Sequence, residues 1–576
     1  MSIAAEEYLF TLGITLAFAG TIAAAYFSRK DIVSVLRDAG FRKRHLLWII
    51  LIVIVFAGVE MAVVKPTQQL FFDDVIYQSM AQQLIHTGQA VMCNYGTPTS
   101  CFSGDIYHEP IGLPFNLAIG FLLFGISRAT AYGTLFFISA LGVVMAFLLA
   151  FALFKDRYAA LFTGLLMAVS PIMLVWALPT SSDMPTLTYA TMALLFTVVF
   201  ARRKSVRTFA LVAFSLGFVL YMKVDSLAYA ILVPILYLMI DDRSVLQSLR
   251  SNLARLRRNV LNTNFLLLLL VFVIIAAPVI IYMYTELAIG NYGVTSTTTL
   301  QNTCNGMLPV LVNGTFSFSS LNANLCSNVA FWLNAYKSDY VMQPLLFTAL
   351  AILGAAILAY RDARTLLFIG VWFLMLFFIY AAFYAGGVLY GVDWRFMLGL
   401  IVQVSLLGGI ALSYIARAIM TPARIGMLPK AARAPMRYVA IAVCIIIIAW
   451  PIYSLLPYLG VSPVNIPQAN GARFYENFIY NNTANIPRSC IVMSYDPTFF
   501  NINGFTSAQL GYLDTSTYQK YESEYGCVVI DYGYWCGTPN SICSQVASGF
   551  NLSTISMATD PINGKTYALY RIVGVK

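Results

Sequence analysis

Apolar residues gather into runs of roughly 17 to 22, the length that crosses a hydrocarbon layer about 30 Å thick, and these runs recur to about Leu456. They predict about twelve spanning helices. The runs lie near Leu9–Ser28, Leu46–Val64, Ala131–Phe154, Tyr158–Leu178, Met184–Ala201, Thr208–Met222, Ser226–Ile240, Asn264–Tyr284, Pro344–Tyr360, Thr365–Ala385, Phe396–Tyr414 and Tyr438–Leu456. One further apolar segment, Leu113–Ile126, is short, and counting it as a span inverts every loop after it. It reads as interfacial or re-entrant. After Pro457 the pattern changes to strand-length runs (CIVMSY, CVVIDYGYW, TYALYRIV) separated by Asn, Gly, Pro and Ser. The predicted fold is therefore an all-α polytopic membrane bundle over residues 1–456 with a small α/β or α+β domain over 457–576.

Composition agrees: 59% of the 576 residues are hydrophobic and 10% are charged, a balance that excludes a soluble protein of this size. The net charge of +10 is a topology signal and not a nucleic-acid signal. Glu6 and Glu7 precede the first run where a cleaved signal peptide has basic residues, so the run reads as a permanent anchor. Arg29, Lys30, Arg37, Arg42, Lys43 and Arg44 follow it, and the positive-inside rule places that loop in the cytoplasm. Alternation then puts about 24 of the 35 Lys and Arg inside and about 19 of the 25 Asp and Glu outside. The N-terminus, the long loops 65–130 and 285–343 and the C-terminal domain are expected outside the cytoplasm, in a multi-pass cell-membrane protein. Eight of the nine cysteines fall in these outer segments, where disulfides persist. Cys93 with Cys101 and Cys304 with Cys326 are the simple pairs, whereas Cys490, Cys527, Cys536 and Cys543 allow three connectivities.

Candidate chemistry lies at the outer junctions. The stretch FFDDVIYQSMAQQLIHTGQ carries Asp73 and Asp74 where a short helix starts; one carboxylate suffices as a cap, and the second suggests a base or metal ligand. DIYHEPIGLPF supplies His108 and Glu109, and PTSSDMPT supplies Asp183, whose plainer role is to cap the next helix. YMKVDS holds Lys223 and Asp225, and YGVDWRFMLGL holds Tyr390, Asp393 and Arg395. Each cation has the alternative of snorkelling or pairing with its neighbouring acid. Taken together, the short outer turns carry acids and bases at one depth, an arrangement suited to holding an anionic headgroup against a general base. YDP and DYGYW in the tail read as turns after strands rather than as acceptor contacts.

The order DDVIY, HEPIGLPF, then SPIMLVW with a short acid-bearing loop resembles the GT-C class of polyprenyl-phosphate-sugar glycosyltransferases. The nearest branch is the protein O-mannosyltransferase and aminoarabinose transferase group. The match runs from about Phe71 to Asp225, with an echo of the family's Arg-Tyr-Leu-Leu-Pro box at WRFMLGL. This resemblance implies that Asp73 takes the position of the catalytic Asp and Asp74 replaces the usual Glu. Glu109 stands where many members have Lys or the first Pro. It further implies inverting transfer of a sugar from a polyprenyl- or dolichyl-phosphate carrier to an extracytoplasmic protein, glycan or lipid. In that scheme Asp73 is the base, and Asp74, Glu109 and Asp183 orient it, bind sugar or acceptor, or hold a metal. Lys223 and Arg395 meet the phosphate. No cofactor is required; a divalent Mg or Mn on Asp73, Asp74 and Asp183 stays open. An oligosaccharyltransferase-like enzyme is the nearest alternative, although its WWDYG box is absent. A transporter or lipid flippase is the alternative of another class, and it calls for charges at the bilayer midplane and paired repeats.

Overall fold

The computed structural model describes residues 3–63, 73–105, 110–241, 263–282, 296–302, 306–312, 345–383, 395–424, 467–533, 542–561 and 564–576, with short stretches between 321 and 333 and between 439 and 453, and Cys536. Among the described residues, six helices are long and apolar enough to cross a membrane, and six more apolar helices are shorter. The long ones begin with α1 (Ile3–Asp38), which carries the helix through Arg29 and Arg37 into the predicted basic loop, and α2 (Arg44–Val63).

Next come α3 (Asp73–Thr87), α4 (Gly112–Phe124), α5 (Arg128–Phe154) and α6 (Arg157–Ala168). The expected run Tyr158–Leu178 is not one helix. It breaks at Ser170–Pro171, since proline has no N–H and disfavours helix in the residue before it, and resumes as α7 (Pro171–Trp176). After α7 follow α8 (Asp183–Arg203), α9 (Val206–Leu220) and α10 (Leu227–Asp241). Ser127, Asp156 and Ser205 cap the starts of α5, α6 and α9 with side-chain oxygens, so these boundaries are set by local chemistry. The run expected over Phe396–Tyr414 begins as a turn, Arg395–Leu398, and continues as the helix Ile401–Arg424. The Leu113–Ile126 segment forms α4, at 13 residues about 20 Å long, too short to span alone.

The C-terminal region forms a mixed sheet with helices on both faces. Its strands are β5 (Ile491–Ser494), β6 (Thr506–Gln509), β7 (Val528–Tyr532), β8 (Phe550–Thr559) and β9 (Thr566–Val575). Two more strands come from the first outer loop, β1 (Met92–Thr97) and β2 (Ser100–Asp105), and the order across the sheet is β2-β1-β6-β5-β7-β9-β8. β1 joins β6 antiparallel, with Tyr95 opposite Ala508 and Gly96 opposite Ser507. The sheet thus takes strands from both sides of the expected boundary at residue 456. In the second outer region β3 (Ser296–Asn302) and β4 (Gly306–Val312) form a separate hairpin.

Alternation along the strands divides the domain's core in two. Val492 and Val529 face Tyr475, Phe499 and Phe500, whereas Ile491, Met493, Val528 and Ile530 face Tyr518 and Val546. Disulfides link Cys93–Cys101, Cys490–Cys527 and Cys536–Cys543, which settles the connectivity left open for the tail. Cys304 and Cys326 lie outside the described residues.

Candidate active site

The helix α3 has acids in its first turn and ends against Gly88, whose left-handed φ of +76° lets the chain leave the helix without a Cβ penalty. It is buried on almost every side. Ile76, Tyr77, Met80 and Ala81 belong to the core of the helical bundle, while Val75 belongs to the core of the C-terminal domain with Tyr475, Phe499 and Phe500. The acid pair therefore sits where the two halves of the molecule meet.

Burial separates the two acids. Asp74 is 1% exposed, and the Thr180 hydroxyl lies 2.8 Å from its carboxylate and 2.8 Å from its backbone carbonyl; the same hydroxyl accepts from Gln78 at 3.3 Å. The Asp73 side chain is 21% exposed, with the Arg395 guanidinium 3.7 Å away. Asp183, the first residue of α8, accepts from Lys223 Nζ at 2.6 Å and from the Ser181 hydroxyl at 2.5 Å. Lys223 lies 3.8 Å from Asp225 and rests over the Phe396 ring, with 4.7 Å from Nζ to the ring centre. Lys223 thus takes Asp183 as its close partner and Asp225 as its distant one.

One glycine brings two of these junctions into contact. The Gly112 N–H donates to the carbonyl of Tyr221 at 2.7 Å, and a Cβ on Gly112 would stand 2.3 Å from that oxygen. Only a residue without a side chain lets the GLP start of α4 touch the strand-like turn that delivers Lys223. Asn116, one turn on, donates to the Gly112 carbonyl and accepts from Tyr189 at 2.6 Å, which ties α4 to α8.

The structure brings Asp73, Asp74, Asp183, Lys223, Asp225 and Arg395 into this region. His108, Glu109, Tyr390 and Asp393 lie outside the described residues. No group of three His, Cys, Asp or Glu among the described residues is placed to hold a metal ion, and Asp74 and Asp183 are already held by Thr180 and by Lys223 and Ser181.

Sequence reasoning missed the contribution of the tail. Asp496, in the YDP turn, is buried at the start of the helix Pro497–Ile502, which packs on α3. Burial pushes its carboxyl up to about 7 against hydrogen bonds from Thr498 and from backbone N–H groups, and the charge of Asp73 adds to the rise. Behind it, Asp531 accepts from the hydroxyls of Tyr475 and of Ser494 (2.8 Å), and Ser494 in turn accepts from the Asp496 N–H at 3.1 Å. Burial lifts Asp531 to about 7 as well. The second missed contact is Arg128, paired with Glu476 at 2.5 Å and set over the Tyr480 ring. A signal was present: arginine opens α5 at the helix end where a cation is disfavoured, which asks for an external partner.

Comparison with known proteins bears on this geometry. Residues 108–282 match the family model of dolichyl-phosphate-mannose-protein mannosyltransferase. The structure of ArnT from Cupriavidus metallidurans in the apo state superposes with a TM-score of 0.53 at 13% identity, over 92% of this chain and 98% of that one. By fold, the chain is similar to this ArnT structure. The same relative bound to undecaprenyl phosphate superposes with a TM-score of 0.50 at 14% identity, over 91% of this chain and 98% of that one. No curated protein sequence matches the chain. The matched family segment contains α4 through α10 and the helix Thr263–Tyr282, and hence Asp183, Lys223 and Asp225, while Asp73, Asp74 and Arg395 lie outside it.

Proposed function

We propose that the protein transfers a sugar from a polyprenyl- or dolichyl-phosphate carrier to an extracytoplasmic acceptor, with inversion at the anomeric carbon. The acceptor oxygen or nitrogen forms the new bond to C1, the bond from C1 to the phosphate oxygen breaks, and the phosphate leaves on its lipid. Asp73 takes the acceptor's proton. The observation that carries this reading is the contrast in burial among the acids: Asp73 stays partly exposed with a guanidinium 3.7 Å away, whereas Asp74 and Asp183 are buried. Arg395 suits a phosphate because its planar fork offers two parallel donors, and it stands next to Asp73. Lys223, with only 9% of its side chain exposed, serves mainly to hold Asp183 and Asp225 in place. The crystallised complex of ArnT with undecaprenyl phosphate supports the choice of donor. All these groups stand at the ends of helices, the level at which a headgroup meets water while its tail stays in the membrane.

The test offers purified protein a panel of lipid-phosphate sugars and nucleotide sugars and follows consumption by mass spectrometry. Lipid-phosphate sugar is expected to be consumed by the wild type and left intact by Asp73→Asn, a change that removes the base and keeps its shape. Consumption of nucleotide sugars alone, or near wild-type turnover by Asp73→Asn, overturns the respective part.

A further inference from the structure

At the far end of α5, a helix of 27 residues and so about 40 Å from end to end, lies a cavity of about 300 Å3. Two helix junctions and one helix face build it: the α5–α6 turn, the turn joining the helices Leu345–Arg361 and Ala363–Ala382, and the middle turns of Ile401–Arg424. Its charged lining is Lys155, Arg361 and Arg417 with Asp156 and Asp362.

The acids are already engaged. Asp156 accepts from the Tyr158 N–H at 3.0 Å, from the Ser413 hydroxyl at 2.8 Å and from Arg417 at 2.5 Å. Asp362 accepts from the Thr365 N–H at 3.2 Å and from its hydroxyl at 2.6 Å. Arg417 is thereby committed to Asp156. Lys155 and Arg361 have no acidic partner among the described residues, and the Arg361 guanidinium lies 5.6 Å from the centre of the Tyr414 ring. Two cations thus face a space whose acids are turned to their own helix ends. Phe154, Ile357, Leu358 and Ile410 give the cavity an apolar side, and one turn before Ile357 on the same helix Leu353 is exposed, so an apolar surface leads away from the cations along the helix.

We propose that this cavity binds the headgroup phosphate of an anionic phospholipid in the leaflet opposite the candidate active site. Lys155 and Arg361 contact the phosphate, and the acyl chains follow the Leu353 side of the helix. A soluble anion would use the cations and gain nothing from that apolar path; a lipid uses both. The site is independent of the sugar-transfer reading, since it shares no residue with it.

Native mass spectrometry of the full chain from detergent micelles tests this. Phosphatidylglycerol and phosphatidylcholine with the same acyl chains are added in turn, with and without millimolar inorganic phosphate. Wild type is expected to retain phosphatidylglycerol about tenfold better than phosphatidylcholine, a preference that inorganic phosphate does not remove. Lys155→Gln with Arg361→Gln should lower that retention roughly tenfold or more, in line with the contribution of two cations at a membrane surface. Arg361→Lys, which keeps the charge, should retain most of it, and an unchanged melting temperature in the double variant shows that its fold is intact. Equal retention of both lipids, unchanged retention in the folded double variant, or displacement by inorganic phosphate overturns the proposal.

Discussion

Replacing Arg128 by Met should loosen the C-terminal domain from the bundle. The guanidinium stands 2.5 Å from Glu476, whose side chain is 4% exposed, donates to the Tyr132 hydroxyl at 3.0 Å and covers the Tyr480 ring. Methionine keeps the apolar stem and strands a carboxylate in a buried place. Removing one member of a buried pair costs about 3 to 5 kcal/mol. Arg128 is 27% exposed, so water screens part of the interaction, and the low end applies: about 3 kcal/mol, or roughly a hundredfold in the ratio of open to docked domain. Hydrogen exchange of the full chain, read on peptides covering 474–482, reports that ratio directly. Arg128→Met should speed exchange there by one to two orders of magnitude and leave α8 unchanged. Glu476→Gln in the same background should recover much of the loss, because a neutral amide no longer needs a cation. Exchange within twofold of wild type in Arg128→Met, or no recovery in the double variant, would show that the ion pair does not hold the domain.

Gly112→Ala should cost about 2 kcal/mol or more and abolish transfer, since its Cβ meets the Tyr221 carbonyl; thermal unfolding and turnover of the same preparation check both. Arg395→Lys keeps a charge but loses the fork, so the apparent affinity for a lipid-linked donor should fall clearly, and an unchanged affinity removes the phosphate contact. Asp496 and Asp531 are lifted from 3.8 to about 7, so the folded state binds more protons than the unfolded chain between those values. The stability of the domain should therefore decline as pH rises from about 4 through about 7, by up to roughly 4 kcal/mol for one carboxyl, and level off above. Asp531→Asn should flatten that decline in melting experiments from pH 5 to pH 9.

The membrane bundle was legible because crossing a bilayer imposes a length on every apolar run, and α2, α5 and α8 follow those runs closely, whereas α1 runs ten residues past its own into the basic segment. Cys93 and Cys101 could be paired from spacing alone, being eight residues apart with no nearer cysteine. Asp73, Asp183, Lys223 and Arg395 drew notice because charge is costly at a membrane boundary. What stayed hidden depends on distant partners. The Thr180 hydroxyl that separates Asp74 from Asp73 lies 106 residues away. Asp496 looked like a turn residue because its neighbours in sequence are Pro497 and Thr498, and only folding sets it near α3. The break at Ser170–Pro171 was written in the chain, but the apolar run on either side hid it.

The pairing of β1 with β6 joins residues 95–96 to 507–508, and it carries a consequence for biogenesis. Chains emerge from the ribosome N-terminus first, so the hairpin Met92–Asp105 must wait outside the membrane, one edge bare, while some four hundred residues are made and inserted. A bare strand edge is a hazard for mispairing, and the Cys93–Cys101 bridge can close early and hold the hairpin in shape meanwhile. Val75 likewise has no apolar partner from the tail until Phe499 and Phe500 arrive. The acid-bearing helix is thus completed last. A chain cut short before the tail therefore lacks both the strand that covers β1 and the Phe499–Phe500 face that closes over Val75, and the surroundings of the acid pair stay unfinished.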